Sequence, residues 1–264
     1  MIRQPVCAGT WYPTKKEEIE KFLDLSAKKT EAISCICPHA GWMYSGKVAG
    51  NVYSRLVPYQ TYVLIGPNHT GFGPSASIYN DGIWQMPLGK IEIDTELSGE
   101  ILKNSEFLKP DKQAHSREHC LEVQLPFIQY FSPQAKIVPI VIMSDEFEVI
   151  KDIAVAVSQA IKNFKNKKVL MVASTDMTHY ESHEYAKKQD KLAIEKILSL
   201  DAEGLIKTVL QRGISMCGVF PTACVILASK LLGAKDVELV KYTTSGEVSG
   251  DYDSVVGYAG LIIM

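Results

Sequence analysis

The chain has 264 residues, of which 46% are hydrophobic and 22% are charged, with 28 basic and 30 acidic residues. This composition is typical of a globular protein with a sizeable core, and the near-neutral charge argues against binding to nucleic acid or to an anionic membrane. The longest apolar run, 255–264, is about half the length of a membrane span, and the N-terminus lacks the apolar segment of a signal peptide. We therefore expect a cytoplasmic protein whose six cysteines are reduced.

Apolar periodicity predicts strands and helices that alternate along the chain. Strands are expected at 32–37, 61–65, 136–143, 168–173, 237–243 and 255–263, with short strands or a hairpin within 75–94. Helices are expected from Thr14, where Thr14 and Glu17 fit a capping box, and at 45–56, 95–104, 118–131, 146–164, 184–198, 201–211 and 222–232. This alternation predicts one α/β domain, 1–264, with a mixed, mostly parallel central sheet and helices on both faces.

Three of the six histidines come just after predicted core strands. His39 follows the strand 32–37, His69 follows 61–65, and His179 lies in the loop after 168–173. In α/β folds the carboxyl ends of the strands are where ligands and catalytic groups collect. His39 and His69 lie in loops rich in small residues, which let a ligand approach the backbone closely. Neutral imidazoles at adjacent strand ends would make a pair of metal ligands, although any single histidine is more often structural.

Cys217 is the cysteine whose position favours metal binding. It lies in a loop directly before a predicted helix, and a helix N-terminus favours the thiolate, the form that binds metal. Cys35 and Cys37 share one strand face with His39 two residues further on, so a C-x-C-x-H metal site is an alternative. Buried thiols that behave as small hydrophobes are the favoured interpretation of that pair, and Cys224 is expected in the core.

Carboxylates accompany two of the histidines. Asp176 precedes His179 by three residues, a separation that lets a carboxylate orient an imidazole or hold a metal. His119 and Glu122 are also three apart and share one face if their segment is helical. The structural alternative for these residues is a solvated helix face with an ion pair. Apolar residues interleave with them, which weakens that alternative.

Four aromatic residues near the first histidine are candidates for a ligand pocket. Trp11, Tyr12, Trp42 and Tyr44 would line it, in the manner of apolar pockets that have few polar anchors. The structural alternative is that these aromatic side chains belong to the core. The sequence alone leaves both interpretations open.

Six collinear motifs resemble those of the MEMO family. They are AGTWYP (8–13), PHAGWMYSG (38–46), IGPNH (65–69), HSREHCLEVQLPF (115–127), STDMTHY (174–180) and MCGVFP (216–221). The resemblance implies a fold similar to that of the class III extradiol dioxygenases, which are non-haem iron enzymes. It implies that His39 and His69 match the two histidine ligands and that Cys217 stands where the dioxygenases have a glutamate. His179 matches their acid/base histidine, with Asp176 beside it.

Two functions follow from the resemblance as expectations. The first is a mononuclear metal centre, with iron, copper or zinc, in a redox protein or dioxygenase-like enzyme that acts on an unknown small substrate. In that case His179 would move protons, Asp176 would orient it, and His119 and Glu122 would surround the ligands. The second is a non-catalytic module that binds a peptide, such as a phosphopeptide, or an aromatic ligand. The resemblance also implies a functional link to AMMECR-type and radical-SAM proteins.

Overall fold

Apolar residues alternate between the two faces of the central strands. In the strand Thr61–Pro67, Val63 and Ile65 enter one hydrophobic cluster, whereas Tyr62 and Leu64 enter a second cluster on the opposite face. A strand that is buried on both faces is typical of a parallel sheet covered by helices on both sides. The structure is a computed structural model that describes residues 2–164 and 167–264.

Twelve strands form one sheet in this described part of the chain. Strands β1 to β12 are, in chain order, Ile2–Arg3, Ser34–Cys37, Thr61–Pro67, Ala76–Ile78, Ile83–Met86, Gly89–Ile93, Lys109–Pro110, Lys136–Ile142, Val169–Ser174, His179–Glu181, Val237–Thr244 and Val255–Ile263. The order across the sheet is β1-β5-β6-β8-β3-β9-β2-β12-β10, with β11 beside β12, β4 beside β8 and β7 beside β4. Strands β8, β3, β9 and β2 are parallel, and β12 is antiparallel to β2.

Helices cover both faces of this sheet. Helices α1 to α9 are Lys16–Ile19, Trp42–Arg55, Thr95–Lys103, Leu125–Phe131, Phe147–Asn163, His183–Leu198, Ala202–Arg212, Val219–Leu231 and Gly246–Ser249. Helix α8 packs on β2, β3 and β9 and is backed by α5 and α7, whereas α2 packs on β2 and β12 from the other face and contacts α4. The predicted α/β fold class is confirmed. None of the helices described is both long enough and apolar enough to span a membrane.

The predicted capping box at Thr14 is wrong. Helix α1 begins at Lys16, and its N-cap residue Lys15 makes no side-chain capping bond. After one turn the chain continues as the 3-10 turn Glu20–Phe22.

The helix predicted over 118–131 starts later than expected. A 3-10 turn, Glu122–Gln124, leads into α4, which carries Pro126 in its first turn. The physical reason is local competition: the backbone N–H groups of His119 and Cys120 donate to the Glu118 carboxylate instead of entering a helix. His119 and Glu122 therefore do not share a helix face.

Helix α8 also begins three residues before the predicted start.

His115 gives the fold a dependence on pH. Burial, followed by the charge of Arg3, lowers the pKa of this completely buried imidazole from 6.5 to about 3. The folded state keeps His115 neutral, whereas the unfolded chain protonates it near pH 6.5. Protonation therefore favours the unfolded state, and the free energy of unfolding decreases as the pH falls from about 6.5 toward 3.

Between pH 7 and pH 5, we expect the free energy of unfolding of the wild type to fall by about 2 kcal/mol more than that of His115→Phe. Urea unfolding of each protein at both pH values measures this difference, and any general destabilisation by the substitution cancels within each protein. An equal loss in the variant and in the wild type would contradict the assignment.

Candidate metal centre

The candidate metal centre, formed by His39, His69 and Cys217, lies at the carboxyl edge of three neighbouring parallel strands. Strand β9 lies between β2 and β3, so His39 and His69 flank it instead of following adjacent strands as the sequence suggested. Their ring centroids are nevertheless 5.1 Å apart with the planes nearly perpendicular. The segment after β9 brings Asp176 and His179 to the same edge. The fold thus gathers the histidine-bearing loops predicted from the sequence.

Cys217 completes a set of three ligand atoms. Its Sγ lies 3.2 Å from Nε2 of His39 and accepts a hydrogen bond from the backbone N–H of Asp176 at 3.3 Å. The ligand atoms of His39, His69 and Cys217 all lie within 4.8 Å of one another. Two imidazole nitrogens and one sulfur are donors that suit zinc, copper or iron.

His39 is fixed as a neutral imidazole. Its Nδ1 contacts Oγ of Ser174 at 3.1 Å, and its backbone N–H donates to Oδ1 of Asp176 at 2.8 Å. Burial, followed by the neighbouring His69, lowers the pKa of His39 to about 3. Because Ser174 holds Nδ1, the other ring nitrogen, Nε2, faces Cys217.

Glu118 holds His69 and was missed by the sequence reasoning, which chose Glu122. Its carboxylate accepts hydrogen bonds from the backbone N–H of His69 at 2.6 Å and from Nδ1 of the same ring at 2.8 Å. Burial raises the pKa of Glu118, but the hydrogen bond from His69 and the one from the backbone of Cys120 outweigh it and bring the pKa to about 2. The available signal was its position directly before His119.

Glu118 also belongs to a second group with metal-ligand spacing, formed with His69 and His119. Its Oε1 already accepts from Nδ1 of His69 and from the backbone N–H groups of His119 and Cys120. Because these donors occupy the oxygen, orientation of His69 explains this group better than a second ion does.

We expect Glu118→Gln to weaken metal binding by about 10- to 100-fold, because an amide cannot hold the His69 ring as a carboxylate does. Competition with a chromophoric chelator measures the affinity, and circular dichroism checks the fold. Glu106→Gln, at an exposed loop position, is the matched control. Equal affinities for the two variants would contradict this role for Glu118.

His119 borders the centre without joining the three-ligand set. Its ring centroid lies 4.6 Å from that of His69 and 5.5 Å from that of His39. The indole of Trp11, which is 38% exposed, covers it at 4.5 Å. Burial, followed by His39, lowers the pKa of His119 to about 4, which leaves a neutral ring beside the ligands.

His179 is held by Ser215 and not by Asp176. Its Nδ1 lies 2.8 Å from the Ser215 carbonyl oxygen, and its backbone N–H donates to the Ser215 hydroxyl at 2.7 Å. Because a carbonyl only accepts, Nδ1 carries the proton and Nε2 is free to accept one. The prediction that Asp176 orients His179 is wrong, since Asp176 accepts instead from the backbone N–H groups of His39 and Ala40.

Comparison with known proteins decides the family. The Memo-like protein family model matches residues 3–262. The chain is 42% identical over 269 residues to a MEMO1 family protein of Aquifex aeolicus, covering 100% of this chain and 99% of the relative. It is 41% identical over 268 residues to one of Methanosarcina barkeri, covering 99% and 100%.

The chain belongs to the Memo-like family. A solved structure with a similar fold is that of the uncharacterized protein JW3007 from Escherichia coli K12, with a TM-score of 0.56, 13% identity, and coverage of 88% of this chain and 100% of that one. That likeness concerns the fold alone.

Glu122 of this Memo-like protein is a structural residue, which corrects its predicted place beside the ligands. The fully buried carboxylate forms an ion pair with Arg3 at 2.6 Å. It also accepts from the backbone N–H of Cys7 and from the hydroxyl of Tyr12, both at 2.8 Å. Glu122 thus ties the N-terminal segment to the loop that carries Glu118, and its carboxylate bonds to that segment and not to His39, His69 or Cys217.

The four aromatic residues predicted to line one pocket separate into two groups. Tyr12 and Trp42 are buried; Tyr12 donates to Glu122, and the Trp42 indole stacks on Phe127 at 3.8 Å. For these two the structural alternative is confirmed and the pocket prediction is wrong. Trp11 is exposed over His119, and Tyr44 is half-buried.

Among the cysteines, the core interpretation is confirmed for Cys35, Cys37 and Cys224, which are completely buried. Cys217 differs from expectation in one respect. Burial, followed by the charge of Asp176, raises the pKa of its thiol to about 12, so the start of α8 does not by itself produce a thiolate. A metal cation next to the sulfur supplies the positive charge that deprotonates a coordinating thiol.

Proposed function

We propose that this Memo-like protein binds one metal ion through His39, His69 and Cys217 and uses it in redox or dioxygenase-like chemistry on a small substrate. The observation that carries the proposal is the meeting of three ligand atoms, within 4.8 Å of one another, from three separate loops. Ser174 and Glu118 support the two imidazoles from behind, as polar partners of metal-binding histidines do.

The donor set indicates which ions fit. The thiolate sulfur of Cys217 would favour copper, zinc or iron over hard ions such as magnesium. The low pKa of His39 keeps one imidazole unprotonated at neutral pH. The bound ion would supply Lewis acidity or electron transfer. His179, with Nδ1 held by Ser215, would accept and return a proton at Nε2. A cytoplasmic location is part of the proposal and agrees with six unpaired cysteines.

Metal analysis tests this function. We expect protein purified without added metal to carry iron, copper or zinc, and the triple variant His39→Ala, His69→Ala, Cys217→Ser to lose it. The double variant His183→Ala, Cys224→Ala removes the same residue types elsewhere and should retain the metal. Unchanged metal content in the triple variant would remove this site from consideration.

Ligand binding without catalysis is the second candidate function, and the exposed Trp11 beside His119 favours it. Oxygen consumption with a panel of catechols, after loading with Fe(II), separates the two candidates. Turnover that His179→Ala abolishes supports the enzyme, whereas tight binding of an aromatic compound or a phosphopeptide without oxygen uptake supports the binding module. Co-purification with an AMMECR-type or a radical-SAM protein tests the proposed functional link.

A further inference from the structure

Gln124 is a completely buried polar residue that connects the backbone before His39 to the Ser174 hydroxyl. Its amide nitrogen donates to the Pro38 carbonyl oxygen at 2.9 Å, and its amide oxygen accepts from the Tyr53 hydroxyl at 3.2 Å. Because a carbonyl only accepts, the Pro38 contact fixes which end of the amide is the nitrogen. The second N–H of that nitrogen donates to Oγ of Ser174 at 3.0 Å.

The Ser174 hydroxyl has three polar neighbours and only one proton. Its Oγ lies 2.7 Å from the Cys120 carbonyl oxygen, 3.0 Å from the Gln124 amide nitrogen and 3.1 Å from Nδ1 of His39. The carbonyl only accepts, so the hydroxyl proton lies toward Cys120. The amide N–H takes one lone pair of the oxygen, and the remaining lone pair faces His39. Nδ1 therefore donates, which makes the neutral His39 ring the Nδ1–H tautomer.

A serine partner alone would not decide this tautomer. A hydroxyl can donate to an imidazole or accept from it, unlike the carboxylate and carbonyl groups that commonly hold metal-binding histidines. The Cys120 carbonyl and the Gln124 amide remove the ambiguity, since together they leave the hydroxyl one direction for its proton. Ser174, Cys120 and Gln124 are completely buried, so bulk water does not compete for these bonds.

Nε2 of His39 keeps a lone pair that faces Cys217. The nitrogen lies 3.2 Å from the Cys217 sulfur, which accepts from the backbone N–H of Asp176 and has its own S–H to donate to Nε2. An imidazole binds a metal ion only through an unprotonated nitrogen. The Nδ1–H tautomer is thus the form of His39 that can act as a ligand on the side of Cys217.

We propose that Gln124 and Ser174 are positioning residues that commit His39 to the Nδ1–H tautomer, so that Nε2 is ready to bind the ion. The purpose rests on the proposed function, whereas the tautomer is a property of the metal-free protein. Without the Ser174 hydroxyl, Nδ1 loses its acceptor, and the ring can place its proton on Nε2 and donate to the Cys217 sulfur. Metal binding then has to reverse that placement, which lowers the affinity.

Nitrogen NMR of the metal-free protein reads the tautomer directly. Long-range 1H–15N correlation at neutral pH shows which ring nitrogen carries the proton, and His39→Gln identifies the His39 signals by their loss. We expect Nδ1–H in the wild type and a population of Nε2–H in Ser174→Ala. Ser229→Ala, which removes another completely buried hydroxyl, bonded to Ser34, is the matched control and should keep Nδ1–H.

Gln124→Met separates positioning from packing. The methionine fills the core but leaves one side of the Ser174 hydroxyl without its donor, so the hydroxyl can turn away from Cys120 and both tautomers should appear. If Gln124 only fills space, Nδ1–H persists in Gln124→Met, and the role assigned to this residue is overturned. Circular dichroism checks the fold of each variant.

Zinc affinity connects the tautomer to the centre. Ser174→Ala should bind zinc about 10- to 100-fold more weakly than the wild type, measured by chelator competition. An unchanged affinity would contradict the positioning role. A wild type that holds His39 as Nε2–H overturns the inference without any variant, and normal zinc uptake by that protein leaves the metal centre standing. A wild type with Nδ1–H that takes up no metal overturns the proposed function and leaves the tautomer assignment intact.

Discussion

Replacing Cys217 by glutamate is expected to lower the affinity for zinc and copper(I) by more than roughly 100-fold, the upper range for losing a supporting partner of a ligand. The reason is the loss of the soft donor, since a carboxylate suits harder ions. Affinity for Fe(II) should fall much less, because two imidazoles and one carboxylate form the ligand set of non-haem iron sites. Anaerobic chelator competition with each ion measures the change.

Cys224→Ala, on α8 and away from the centre, is the matched control for this substitution and should bind all three ions as the wild type does. An equal loss of affinity for zinc and Fe(II) in Cys217→Glu would point to a general disruption of the loop before α8. Unchanged zinc affinity would remove Cys217 from the ligand set.

Glu122→Ala is expected to reduce the free energy of unfolding by about 3–5 kcal/mol, the usual cost of leaving one partner of a buried ion pair alone. The substitution leaves the guanidinium of Arg3 without its carboxylate and removes the acceptor of Cys7 N–H and the Tyr12 hydroxyl. Urea denaturation followed by tryptophan fluorescence measures the loss.

The double variant Arg3→Met, Glu122→Met separates the ion pair from other effects. Since it removes both charges together, it should cost less than the sum of the two single replacements by methionine. Additive costs would mean that Arg3 and Glu122 act independently. For Glu122→Ala alone, a loss below about 1 kcal/mol would contradict the structural role and make Glu122 a candidate site residue again.

The sequence predicts the strand ends well because the signals there are local. Apolar runs stop at Pro38 and at the Gly66-Pro67 pair, so the positions of His39 and His69 follow from the chain itself. The order of the strands is a long-range property, and the placement of β9 between β2 and β3 could not be predicted from spacing.

The choice between Glu118 and Glu122 shows a different limit. Helical spacing favoured Glu122, but the Glu118 carboxylate captures the backbone N–H groups that a helix would have used. Such competition between a side chain and a helix is decided by tertiary contacts, here the bond to His69. Likewise Trp11 and Trp42 look alike in sequence, and tertiary contacts such as the stacking on Phe127 place Trp42 in the core.

The wide separation of the three proposed ligands along the chain has a consequence for biosynthesis. Cys217 comes 178 residues after His39, so a growing chain carries both histidines long before the thiol has been made. Contacts of such long range form late in folding. Insertion of the proposed metal ion should therefore follow folding, and the accessible route is the side of His69, whose side chain is 32% exposed while that of His39 is only 3% exposed.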